Sequence, residues 1–188
     1  ADGFLPLNIQ WFHGSSDEGI ITTALSGNIW HFFSRNDHWE AEKIAGRFEP
    51  FNSEQVDHFV PTLTTSHEIS LDNQSLYVAE WLQGKILQFD ISNIESPRVV
   101  GELKMSASDA ITQNQQHSAG PSMIKVSNDS KRLYATSSFV NSWDNQFFPK
   151  QRSWVIRANL DTELGEIEFD NTFYLDFSPG RSREIYLP

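Results

Sequence analysis

An all-β fold follows from three features of the sequence. Short runs rich in Val, Ile, Thr and aromatic residues alternate with Gly, Asn, Asp and Ser turns along the whole chain. No window longer than about ten residues carries a 3.6-residue apolar period with a cap, so helix content is expected to be low. A turn-and-strand unit also recurs. Ser70-Leu71-Asp72-Asn73-Gln74-Ser75-Leu76-Tyr77-Val78 returns 57 residues later as Ser127-Asn128-Asp129-Ser130-Lys131-Arg132-Leu133-Tyr134-Ala135.

Taken in order, residues 7–13 alternate as a strand, 14–18 turn the chain, and 19–25 form a β-branched run. Strands at 28–33 and 39–45 follow at hairpin spacing, with Ser26-Gly27-Asn28 supplying the turn. Residues 85–90 and 97–103 repeat that arrangement after Gln83-Gly84-Lys85, and 153–160 and 166–177 repeat it again. A weaker copy of the recurring turn is read at Ser15-Ser16-Asp17, with the Asp of each copy accepting backbone N–H bonds. Asn73-Gln74-Ser75 and Asn128-Asp129-Ser130 also fit a glycosylation sequon, but Asn in such a turn is wanted for backbone reasons, and that reading comes first.

Four antiparallel strands per unit, three times over, is the pattern of a β-propeller with about three blades, placed at 5–48, 62–104 and 119–178 with a tail at 179–188. The chain 1–188 thus reads as a single partial propeller domain. Three blades do not close a ring, so further blades are expected as partners. The start, Ala1-Asp2-Gly3, is neither an initiator Met nor a signal peptide, and both ends are expected to be cut.

Composition bounds the chemistry. Lys and Arg total 14 against 25 Asp and Glu, a formal charge of -11, which argues against nucleic-acid and anionic-membrane partners. With no Cys, the chain offers no disulfide, thiolate zinc site, iron–sulfur cluster or thiol nucleophile of its own. No apolar run is long enough for a membrane span. A soluble protein is expected, periplasmic or cytoplasmic. Phosphate loops, dinucleotide fingerprints, zinc-protease and nucleophile-elbow motifs are missing.

Six histidines remain as candidate ligands or bases. Overlaying the repeats sets Phe12, His67 and Ile124 at one position of the inner strand, and His13, Glu68 and Lys125 at the next. His67 then reads as a packed interior residue and His13 as channel-facing. His117 falls near the channel mouth, while His31, His38 and His58 are read as surface. The segment Phe139–Pro149 interrupts the third blade with four aromatics and Asp144. It is either a functional loop or a strap filling a groove between blades. Segments leading into inner strands and loops joining second to third strands gather at one mouth. Ser66-His67, Glu80-Trp81, His117 and Trp143-Asp144 are therefore expected on one face, with His13 at the other.

Leu71-Asp72, Leu76-Tyr77, Trp81-Leu82, Gly84, Gln88-Phe89-Asp90-Ile91-Ser92 and Pro97-Arg98 resemble the selenium-binding protein family, also known as methanethiol oxidases. So do Gly120-Pro121-Ser122-Met123, Lys131-Arg132-Leu133-Tyr134 and, most specifically, Ser142-Trp143-Asp144-Asn145-Gln146-Phe147-Phe148-Pro149. Leu5-Pro6-Leu7, Ile9, Phe12-His13 and Ala24-Leu25-Ser26 resemble the family near the start. The resemblance implies the C-terminal part of a seven-bladed propeller. It implies oxidation of methanethiol, a small thiol, by O2 to formaldehyde, hydrogen sulfide and hydrogen peroxide at a copper site. Imidazole and a redox-active metal suit that chemistry.

On this footing His13 is the first metal-ligand candidate, with His67 and His117 as the mouth-side alternative, and Trp143 and Asp144 are expected to shape a catalytic thiol pocket. Selenium would bind through a region outside this chain. Two departures stand out: Thr65-Ser66-His67 replaces the family's Thr-Asp-Ile, and Arg183-Glu184 stands where relatives carry a His. A guanidinium does not ligate copper. A non-catalytic interaction scaffold, or a selenium-binding or transport protein, is the competing reading.

Overall fold

Twelve strands form three four-stranded antiparallel meanders in a computed structural model that describes residues 2–46, 62–105, 120–149, 152–161 and 164–187. Blade 1 is β1 (Pro6–Trp11), β2 (Glu18–Thr23), β3 (Asn28–Arg35) and β4 (His38–Gly46). Blade 2 is β5 (Thr64–Ile69), β6 (Ser75–Glu80), β7 (Lys85–Asp90) and β8 (Arg98–Lys104). Blade 3 is β9 (Ile124–Val126), β10 (Arg132–Thr136), β11 (Trp154–Asp161) and β12 (Glu166–Asp176). The one helix among the described residues is α1 (Asn141–Phe147), between β10 and β11. No helix among the described residues is long and apolar enough to cross a membrane.

The blades pack face to face, and strand alternation decides what each face touches. In β6, Leu76 and Val78 join Ile20 and Ile29 of blade 1, while Tyr77 and Ala79 join Leu133 and Ala135 of blade 3. Both faces of β6 are covered, so every one of its residues is buried. Neighbouring inner strands are stitched by side chains. Ile69 N–H donates to Gln10 Oε1 at 3.0 Å, and Lys125 Nζ reaches Glu68 Oε1 at 2.8 Å.

The recurring turn is built alike in blades 2 and 3. Ser70 Oγ donates to Asp72 Oδ1 at 2.6 Å and accepts the Ser75 N–H at 2.8 Å. Ser127 does the same with Asp129 and Arg132, at 2.5 and 3.1 Å. Each turn also holds the next. The His13 N–H donates to Asn73 Oδ1 at 2.9 Å, and the Leu71 N–H donates to Ser130 Oγ at 3.4 Å. Asn73 further donates from Nδ2 to the His13 carbonyl, so both ends of its amide serve the turn. The turn reading of that sequon is the one the contacts support.

Blade 1 departs from the repeat as read in the sequence. The Phe12 N–H donates to the Glu18 carbonyl, where blade 2 has Ser70 and Ser75 and blade 3 has Ser127 and Arg132. Phe12 therefore stands with the two serines, and its turn is one residue longer. Strand pairing places Gln10 opposite Ile20, Glu68 opposite Tyr77 and Lys125 opposite Tyr134. The polar inner-strand set is thus Gln10, Glu68 and Lys125. His13 lies beyond the end of β1, in the turn, and not in the channel-facing position expected for it.

Candidate functional site

At the mouth end of blade 2, β6 runs out at Glu80, directly opposite Thr64 at the start of β5. Trp81 follows and is fully buried among Ala24, Leu63 and Leu82. Its ring is capped by Phe139, Phe147 and Phe148, with centroids at 5.7, 6.0 and 5.0 Å. Trp143 packs edge-on against Phe139 at 5.8 Å, completing an aromatic cluster. The mouth-side grouping of Trp81 with the Trp143 segment is present as expected. Its form differs, because part of the segment expected as a loop is α1. Phe139, just before the helix, and Phe147 and Phe148, at its end, reach the Trp81 ring, while Trp143 on the first turn of the helix packs on Phe139.

Asp144 holds that helix in place. It is fully buried; Oδ2 accepts from Ser138 Oγ at 2.7 Å and Oδ1 from the Phe139 N–H at 3.1 Å. An Asp closed in by these two donors positions the segment. Trp143 serves the same packing. Replacing Asp144 by Ala removes two hydrogen bonds to a charged group, each worth about 1.5–3 kcal/mol. We expect Asp144→Ala to lower the denaturation midpoint and shift the tryptophan emission as α1 loosens, both read in one fluorescence titration.

The tail closes the same mouth. Ser182 Oγ donates to the Trp154 carbonyl at 2.7 Å, its carbonyl accepts the Ser138 N–H, and Ser153 bridges the two segments. Thr136 Oγ1 donates to the Arg183 carbonyl at 2.9 Å, and Arg181 reaches Asn145 Oδ1 on α1. Arg183 is therefore held by its backbone while its side chain stays exposed. None of this serine network was signalled by the sequence, since each partner is distant along the chain.

His67 is fully buried in the wall between blades 1 and 2. Its Nδ1 lies 2.9 Å from Thr22 Oγ1, and Nε2 has no hydrogen-bond partner among the described residues. Burial pushes its pKa down to about 3, so the imidazole is neutral at ordinary pH. This is the packed interior residue expected from its apolar counterpart Ile124. Glu68, next along β5, is pushed up by burial and pulled back by Lys125.

His13 lies at the opposite rim. Its Nε2–H donates to the Ile69 carbonyl at 3.2 Å, so in the neutral ring Nδ1 is the atom with the lone pair. It lines an open, polar pocket of about 460 Å³ with Ser15, Asp17, Glu18, Asn73 and Ser92. His31 lies half-buried between Phe12 and Phe33, with Nε2 3.0 Å from Glu18 Oε2, so it is not the plain surface residue expected. His38 is exposed. His58 and His117 lie outside the described residues.

His13 and His67 thus sit in different surroundings, one at the turn rim and one inside the inter-blade wall. Among the described residues no group of three or more His, Asp or Glu could hold a metal ion. The described part of the chain does not fit copper by itself; it offers single imidazoles.

Comparison with known proteins gives a consistent set. The family model for the 56 kDa selenium-binding protein matches residues 1–185. A methanethiol oxidase of Xenopus laevis is 34% identical over 94% of this chain and 43% of its own length. The X-ray structure of a hypothetical selenium-binding protein from Sulfolobus tokodaii superposes with a TM-score of 0.86 at 29% identity, over 97% of this chain and 44% of that one. The β-propeller domain of Myceliophthora thermophila Cps50 (Swd1) shares only the fold, with a TM-score of 0.52 at 6% identity over 82% of this chain and 39% of its own. The chain spans less than half the length of the relatives it matches.

Proposed function

The chain belongs to the 56 kDa selenium-binding protein family, and from that membership we propose that it forms part of a methanethiol-oxidising propeller. The observation that carries the proposal is the likeness to a methanethiol oxidase over nearly the whole chain. In the proposed reaction the methyl carbon is oxidised to formaldehyde and the C–S bond breaks, releasing hydrogen sulfide. One O2 is reduced to hydrogen peroxide, and one water supplies the aldehyde oxygen. Copper would supply the redox centre that side chains lack.

The chain's own contribution is twofold. The Trp81–Phe139–Trp143 cluster gives one end of the propeller an apolar, water-excluding wall. His13, with Nδ1 as its lone-pair atom, is the imidazole offered for a ligand set completed outside the described residues. His67 is committed to packing against Thr22. In the whole protein, His13→Ala is expected to remove most bound copper and with it the oxidase activity, by metal analysis and hydrogen sulfide release on the same sample. Copper and activity retained in His13→Ala but lost in His117→Ala would make His117 the ligand and set His13 aside.

A second reading has its own support. With no three-ligand cluster among the described residues, and Arg183 where the resemblance expects a His, a non-catalytic scaffold or selenium carrier also fits. A folded, metal-free whole protein is what that reading requires.

A further inference from the structure

A cleft of about 420 Å³ lies between blades 2 and 3, at the end where the Ser-x-Asp turns gather. Strand alternation sets its floor. Tyr77 and Ala79 of β6 and Ile86 of β7 face blade 3, so Ser75, Gln88 and Asp90 face it too. Asp72 joins them from the turn before β6. The other side is an apolar lip made by Val100 on β8 and Leu164 on the β11–β12 hairpin, 44% and 70% exposed. The Leu164 N–H donates to Asp161 Oδ1 at 2.9 Å, which fixes that hairpin. Gly101 lets it approach blade 2. A Cβ at 101 would fall 2.7 Å from the Gly165 carbonyl oxygen and 3.1 Å from Gln88 Oε1.

The floor holds acceptors that the fold leaves unused. Gln88 is 1% exposed, and its Oε1 is buried with no hydrogen-bond partner among the described residues. A buried carbonyl oxygen without a donor carries a desolvation cost that a donor in the cleft would offset. Asp72 spends Oδ1 on the Ser70 hydroxyl and the Gln74 N–H, at 2.6 and 3.0 Å. Its Oδ2 has no hydrogen bond or ion pair among the described residues. Asp90 is held ionised by Ser92 and Arg98, with its pKa lowered to about 2, and Arg98 answers its charge at 2.7 Å. The charge of Asp72 has no such answer. This floor suits a cation with N–H donors, and the lip suits a hydrocarbon stem. A bare metal ion would use neither, and no group of three or more His, Asp or Glu among the described residues could hold one. The volume falls within the range of about 300–1,000 Å³ usual for small-molecule sites.

We propose that this cleft binds a small primary alkylamine as its ammonium ion, its N–H groups on Asp72 Oδ2 and Gln88 Oε1 and its stem between Val100 and Leu164. The inference stands whether or not the protein oxidises thiols.

Saturation-transfer NMR titration of the whole protein at neutral pH, with n-butylamine as the probe, tests it. The amine is protonated there, as a lysine side chain is. Butan-1-ol, with the same stem and no charge, should bind about tenfold more weakly. Asp72→Asn keeps the Oδ1 acceptor that the turn uses and removes only the charge. Gln88→Met keeps the shape of the side chain and removes its amide. Each variant should weaken butylamine binding about tenfold, the worth of one hydrogen bond to a charged group. Circular dichroism checks the fold of both, and Asp72→Asn alone decides if Gln88→Met does not fold. No binding of butylamine, or binding unchanged in either folded variant, would overturn the proposal. Equal binding of butan-1-ol would overturn it too, because the apolar lip alone would account for it. So would a clear preference for Nα-acetyl-lysine amide over butylamine, since the ligand would then be a side chain of a partner protein.

Discussion

Trp81→Ala lowers the unfolding free energy by about 3–5 kcal/mol, the cost of emptying a large aromatic site in a close-packed core. Trp81 is fully buried, and its ring is the surface on which Phe139, Phe147 and Phe148 rest. Its loss therefore unseats α1 as well as leaving a cavity. The Trp81 carbonyl also lies against Gly120, where an added Cβ would clash, so the chain leaving β6 and the segment leading into β9 are already in backbone contact and cannot close over the gap without moving. Denaturant titration reads the change. Trp81→Phe should recover much of the loss, because the edge-on ring contacts survive while only the indole N–H bond to the Ser137 carbonyl goes. Equal losses for Ala and Phe would mean that ring packing is not what holds the mouth.

The second large effect is acid sensitivity set by His67. Its pKa is about 3 in the fold against an ordinary 6.5, because burial disfavours the charged form. Between those values the unfolded chain binds the proton and the folded chain does not. Stability is therefore complete above about pH 6.5 and falls as pH drops toward 3, by about 1.4 kcal/mol per pH unit at the steepest. Glu68 works the other way: its raised pKa lets the folded state take up a proton first, so acid favours folding at that site. Asp90 and Asp170, held near 2 chiefly by Ser92 and Thr172 with arginine partners, lose their contribution only below about 3.8. From about 6.5 down to 4.5 the loss of stability thus comes from His67, with Glu68 opposing it, and below 4.5 Glu102, held under its ordinary value, adds to the loss. His67→Met should flatten the stability profile in the upper interval while leaving the acid limb below it, and an unchanged slope would remove His67 as the cause.

Much of the fold was legible because propeller strands are short, local and punctuated. The Ser-x-Asp turns of blades 2 and 3 bond within six residues, so their sequence predicts their structure. His67 was legible as an interior residue because its repeat counterpart, Ile124, is apolar. Blade 1 misled by a single inserted turn residue, which moved His13 from strand to rim. Helix α1 was hidden by its length: seven residues fall short of a periodic window, and only Trp143 and Phe147 within it are spaced by one helical turn. The bonds of Thr22 to His67 and of Ser182 to Trp154 span 45 and 28 residues, and nothing local announces them.

Turnover stoichiometry in the whole protein tests the central claim most directly. Supplied with methanethiol and O2, it should release formaldehyde, hydrogen sulfide and hydrogen peroxide in equal amounts, with one O2 consumed per thiol. A folded, copper-supplied whole protein that leaves methanethiol unconsumed would contradict the account.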